Sequence, residues 1–287
     1  MFHRRIASVL AGIMLLEPFP VIGAELKQDT LDAWDLYLQM VRTSMQSRLP
    51  GHFLWTDELP SRENRVRAGE VVVSPIADNT QETVPSGLIH HWIGAVFIPG
   101  ARIDNVIAVV RDYDHYADFY KPTVIDAKTL SRKAAEDRFT MVMVDKTMFM
   151  KRALDSEYQS RFTRVDSRRW YNIARTTRVQ ELAGAAKPNT RRLSDGEGSG
   201  YIWRMCTMSR YEERDGGVYV EIEAIALSRS IPAMLQLVVE PIVRRVSRSS
   251  LTTTLEQTRT AAGSYVKSGS ALSASRRPGA KSETINE

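Results

Sequence analysis

The run Ser209-Arg210-Tyr211-Glu212-Glu213-Arg214-Asp215-Gly216-Gly217-Val218-Tyr219-Val220-Glu221-Ile222-Glu223 decides the fold. Asp-Gly and Gly-Gly dipeptides supply the positive φ that a tight hairpin turn needs. Residues 201–213 and 218–227 therefore read as two long antiparallel strands folded back at Asp215-Gly216. The chain then meets Ile231-Pro232, and proline both ends a strand and pre-sets the first turn of a helix. Beyond it Leu235, Val238, Val239, Ile242, Val243, Val246, Leu251 and Leu255 recur at helical spacing on one apolar stripe. A hairpin followed by one long amphipathic helix has to bury that stripe, and the nearest apolar surface is the sheet itself.

Working upstream, residues 87–98 read as a strand stopped by Pro99-Gly100. Two short helices follow over 101–111 and 113–120, closed by Lys121-Pro122. Residues 123–132, 137–147, 155–166 and 168–181 are rich in β-branched and aromatic residues, which favours an antiparallel meander. Residues 182–199 form a Gly/Asn/Ser-rich loop. The order is α+β: a curved antiparallel sheet of about seven strands, two short helices after the first strand, and a long C-terminal helix. A strongly bent sheet cannot lie flush against a straight helix, so a cavity is expected between them.

The flanks have different characters. Residues 25–48 predict a helix with Leu31, Trp34, Leu38, Val41 and Met45 on one face, stopped at Pro50-Gly51. Residues 52–55 and 69–73 are short strand candidates around the polar run 57–67, and 78–85 is a polar loop. This extension, 25–85, is expected to pack on a core domain spanning 86–262. Arg4-Arg5, the apolar run 6–16 and the small residues before Glu25 predict an export signal over 1–24, cleaved after Ala24. A periplasmic or secreted protein is the expectation. Residues 263–287, rich in Ser, Ala, Gly and Lys, read as a disordered tail.

With 287 residues, 43% apolar and 25% charged, the chain can bury one sizeable core. No stretch approaches the roughly 20 apolar residues of a membrane span. The net charge of +5 is partly carried by the two ends, which leaves too little for a nucleic-acid footprint. Nucleic acid is therefore excluded as a partner, and a monomer is expected. The single Cys206 cannot form an internal disulfide and reads as a small core hydrophobe. There is no Gly-x-Ser-x-Gly elbow, phosphate loop, dinucleotide glycine pattern or CxxC, and no cofactor is expected. His90 and His91 are neighbours in a strand, so their imidazoles point to opposite faces and cannot share a metal. His115 shows no carboxylate at helical spacing toward it, and Asp112, Asp114 and Asp118 read as caps. Neither a metal site nor a catalytic residue is assigned.

Several runs carry a resemblance: Gly87-Leu88-Ile89-His90-His91-Trp92-Ile93-Gly94, Phe97-Ile98-Pro99-Gly100-Ala101, Val109-Val110-Arg111-Asp112-Tyr113-Asp114-His115-Tyr116, Gly200-Tyr201-Ile202-Trp203-Arg204, and the segments 215–224 and 227–232. With the element order, these resemble the START/polyketide-cyclase (SRPBCC) superfamily, the helix-grip fold, and within it a group of exported bacterial members. The resemblance covers about residues 87–262. It implies the fold; that superfamily hosts lipid carriers, cyclases and plain binders on one scaffold. It also implies that the two short helices form a lid-like wall at the cavity mouth.

With the turn at Asp215-Gly216, Arg210 faces Glu221 and Met208 faces Glu223. Trp203, Met205 and Tyr211 share the other face with Val220, Ile222, Ala224 and Ala226. Trp203, Met205, Tyr211 and Ile222 are thus either cavity lining or plain core under the helix. Arg210, Glu221 and Glu223 are either exposed cross-strand ion pairs or the inward polar anchor of a greasy cavity; a one-residue register shift exchanges the two. Tyr113, Tyr116 and Tyr120 form a helical aromatic stripe, and Met141, Met143 and Met148 add soft surface. Trp92, Leu235 and Val239 complete the candidate lining. The expected function is an exported binder or carrier of a hydrophobic or amphipathic small molecule, lipid-, quinone- or polyketide-like. The rivals are a cyclase or aromatase using the same cavity, and an envelope structural or interaction protein.

Overall fold

A computed structural model describes residues 25–76, 81–147, 150–183 and 190–275. The leader 1–24, Met148 and the last part of the tail lie outside the described residues. The hairpin is where the turn chemistry puts it. Asp215 and Gly216 take φ of 55° and 76°, the two consecutive positive values of a type I′ turn. Strands β8 (Arg204–Arg214) and β9 (Gly217–Arg229) pair with Arg210 opposite Glu221 and Met208 opposite Glu223.

Around this hairpin the seven expected strands are present. They are β3 (Gly87–Pro99), β4 (Val124–Arg132), β5 (Glu136–Thr147), β6 (Met150–Arg164), β7 (Arg169–Glu181), β8 and β9. Two short edge strands join them from the extension, β1 (Val72–Pro75) and β2 (Gln81–Val84). All pairings are antiparallel in the order β1-β3-β9-β8-β7-β6-β5-β4, with β2 beside β1 on β3. The polar loop expected at 78–85 thus contains β2. Its side chains are half-buried or exposed, so apolar alternation gave no signal. No strand forms over 52–55, where a 3-10 turn spans Trp55–Glu58. The polar run after it holds helix α2 (Pro60–Arg67), started by Pro60 in its first turn.

Helix α1 (Gln28–Ser47) lays Trp34, Leu38, Val41 and Met45 on Ile89, Trp203, Cys206, Met208, Ile225 and Leu227. Phe53, Leu54, Trp55 and Val66 cover Ile93, Ala95, Phe97 and Tyr219 on the same face. Each buried large apolar side chain contributes about 1.5–3 kcal/mol, so the extension seals the back of the sheet. Cys206 lies under it, and burial pushes its thiol up to about 12.

On the front face, helices α3 (Ile103–Val110) and α4 (Tyr116–Phe119) follow β3. The closing helix α5 (Ala233–Ser275) crosses there too. Only part of it packs as expected. Leu251, Leu255, Ala261 and Ala262 are buried with Trp92, Val96, Val106 and Val110. A Cβ on Gly94 would come within 2.8 Å of Leu255, so the helix packs closely on the sheet there. The preceding turns stand off the core, with Met234 86%, Leu237 90%, Leu235 48% and Ile242 46% exposed. The helix also continues through Gly263 to Ser275 instead of ending at Ala262.

Candidate functional site

Strand alternation assigns each residue of β9 to a face. Tyr219, Glu221, Glu223, Ile225 and Leu227, on the α1 side, are buried. Ile222, Ala224 and Ala226, on the α5 side, are half-exposed although they lie in the middle of the sheet. Met205 and Thr207, their neighbours on β8, are half-exposed as well. The front face is therefore open where the first half of α5 stands away.

Side chains from neighbouring strands meet above that face. The Tyr158 hydroxyl on β6 reaches the Met205 sulfur on β8 at 3.7 Å, across the intervening β7, so the side chains converge above it. Tyr113, Phe139 and Tyr158 stack in a row, with centroids 4.0 and 4.8 Å apart and planes within 7°. Met205, Met141 and Tyr116 pack against this stack. Tyr116 meets Tyr120 edge-on at 4.9 Å, and the Tyr120 and Thr258 hydroxyls are 3.1 Å apart, joining the helix pair to α5. Burial raises the Tyr113, Tyr116, Tyr120, Tyr158 and Tyr211 phenols, which stay neutral hydrogen-bonding groups. The structure thus brings Trp92, Tyr113, Tyr116, Tyr120, Met141, Met205, Tyr211 and Ile222 to one side of the sheet. Met143 lies on the same face of β5 as Met141.

The polar groups on this face are ones that sequence reasoning missed. Asp137 is fully buried and takes two bonds from Arg111, at 2.8 and 2.7 Å, plus the Tyr113 hydroxyl at 3.0 Å. Tyr211 donates to Asn172 at 2.8 Å, and Asn172 to Ser160 at 3.3 Å. The signal was available: Asp137 alternates in phase with Phe139, Met141 and Met143 on β5. His90 faces this side with Nε2 2.8 Å from the Ser228 hydroxyl, and burial lowers it to about 4. His91 points to the other face, as strand alternation requires.

Arg210, Glu221 and Glu223 occupy neither of the two places expected for them. They are buried, but on the back face under the extension. Arg210 pairs with Glu221 and lies 3.5 Å from Glu223. Glu221 accepts the Trp55 backbone N–H at 2.6 Å; Glu223 bonds His91 at 2.9 Å, and His91 bonds the Tyr37 hydroxyl at 2.8 Å. Burial pushes the Glu221 carboxyl up against the pull of Arg210 and Arg48. Burial acts on Glu223 too, but the His91 hydrogen bond and the charges of His91, Arg210 and Arg48 outweigh it and hold that carboxyl low. Trp203 also belongs to the back, packed with α1, because β8 begins one residue after it and alternation does not extend to it. Leu235 is largely exposed and Val239 half-buried; the core beneath α5 is made by Leu251 and Leu255 instead. His115 does have a carboxylate partner, Asp112 at 2.8 Å, three residues earlier. A cyclase using Arg210, Glu221 or Glu223 on the α5 side has none of them there.

A bent antiparallel sheet, a helix pair after its first long strand and a terminal helix across its concave face are now all in place. This is the START-like helix-grip fold. No family model matches the chain, and no curated protein matches it. Solved structures do. A STAR-related lipid transfer protein from Xanthomonas axonopodis is 17% identical, over 69% of this chain and 98% of that one, with a TM-score of 0.40. Human STARD10 is 10% identical, over 71% and 84%, at 0.43. The Zhui aromatase/cyclase from a Streptomyces species is 15% identical, over 67% and 98%, at 0.35. At these values the likenesses carry no argument about ligand or activity.

Proposed function

We infer that this protein binds a hydrophobic or amphipathic small molecule in the hollow between the sheet and the first half of α5, and acts as its carrier. One observation carries the reading. Met205, Thr207, Ile222 and Ala224 sit at the centre of the sheet yet stay half-exposed, while their neighbours on the other face are sealed. Such a face is lined by apolar and sulfur-bearing groups with a few placed polar ones, the usual make-up of a small-molecule site. Ala224, Ala226 and Thr207 leave room; Met141, Met143 and Met205 adapt to irregular shapes. The Asp137–Arg111–Tyr113 and Tyr211–Asn172 groups would take the polar end of a lipid-, quinone- or polyketide-like compound. Export to the periplasm or beyond, inferred from the basic and apolar leader, would place the carrier in the cell envelope.

Solvent extraction of the native protein followed by mass spectrometry should recover an apolar compound. The Ala224→Trp variant, which fills the hollow, should bind an environment-sensitive apolar dye about tenfold or more weakly with an unchanged unfolding midpoint. Recovery of nothing, together with a parent protein that does not enhance the dye, would refute the reading.

A further inference from the structure

The exposed start of α5 has an order of its own. Met234, Leu237, Pro241, Arg245 and Arg248 follow one another at spacings of three and four residues, so they lie along one side of the helix, with Arg244 next to Arg245. The stripe begins apolar and ends basic. Met234 and Leu237 are almost fully exposed, with Leu235 and Ile242 half-exposed beside them. Arg244, Arg245 and Arg248 are exposed, and Arg229 is exposed just before the helix. Glu240 is the one acidic side chain in residues 230–255. Arg248 further lines a cleft of about 290 Å³ with Arg62, Arg65, Trp55 and Leu59; among the described residues no carboxylate lines it, and Arg62 and Arg65 pair with Glu58 and Glu70.

We propose that this stretch is a seat for the surface of an anionic phospholipid bilayer. An exposed apolar cluster rimmed by cations marks a surface with a partner. A helix whose exposed start is apolar and whose next turns are basic suits a negatively charged lipid interface. From Leu237 to Arg244 the helix rises about 10 Å, so a helix entering start-first separates its apolar turn from its basic one along the membrane normal. Met234 and Leu237 would then lie among acyl chains while Arg244, Arg245 and Arg248 meet phosphates. The seat lies outside the hollow and stands whether or not the hollow holds a ligand.

Sedimentation of the full chain with vesicles tests it. The protein should bind phosphatidylcholine vesicles containing phosphatidylglycerol and not those of phosphatidylcholine alone, and binding should weaken as salt rises. The M234D/L237D and R244E/R245E variants should each bind about tenfold or more weakly, with unfolding midpoints and dye binding in the hollow unchanged. Both variants keep residues 1–24, so binding that survives in them comes through the leader and overturns the proposal. So does absence of binding by the parent. Concentration-dependent dimerisation without lipid, abolished by M234D/L237D, would also overturn it and assign the surface to a second copy.

Discussion

Arg210 has no exposed surface, and its charge is met by two carboxylates from the neighbouring strand. Such a cluster is costly to assemble but more costly to break, since losing one member strands the others in a dry interior. Arg210→Met should therefore destabilise the protein by about 3–5 kcal/mol in urea unfolding, and adding Glu221→Leu should recover part of the loss. A loss within the roughly 0.5 kcal/mol typical of surface changes would contradict the burial described. The pairing itself was legible, because Asp215-Gly216 sets the register by itself. The face was not. Burial of Glu221 depends on Trp55, 166 residues away in sequence, and local alternation cannot say that both faces of a sheet are covered.

Among the elements, α5 shows how one stripe can split between two environments. Its apolar positions run from Leu235 to Leu255 with one step of five between Val246 and Leu251, and only the turns from Leu251 onward rest on β3 and α3. Helical period reports which side is apolar, not which stretch of that side is covered. Contact depends on Gly94, whose missing side chain admits Leu255 and Val73. Gly94→Ala should force both apart and cost about 1–3 kcal/mol in thermal unfolding; a gain in stability would show that the helix is not held there. Elements without apolar pattern escaped notice for a related reason. Strand β2 and helix α2 present mostly polar, half-exposed surfaces, and their positions come from pairing with β3 and from Pro60.

At the scale of the whole molecule, the two faces of one sheet have been given opposite treatments. The back is closed by α1, α2 and an ion cluster; the front is left partly open beneath a helix that touches it along only part of its length. The succession of strands, the helix pair and an aromatic stripe on that pair could be foreseen from spacing and turn chemistry. The division of labour between faces could not, because it rests on an extension whose own sequence names no docking surface.

That extension leaves a natural reporter in place. Cys206 is the chain's one thiol, shut beneath α1 with its ionisation suppressed, so a maleimide can reach it only after α1 lifts away. Labelling of the folded protein should proceed far more slowly than labelling in denaturant, at a rate set by how often that opening occurs. Prompt modification of the native protein would mean that the cover is loose. A slow, single-exponential course would time the detachment of α1 directly, with no engineered probe.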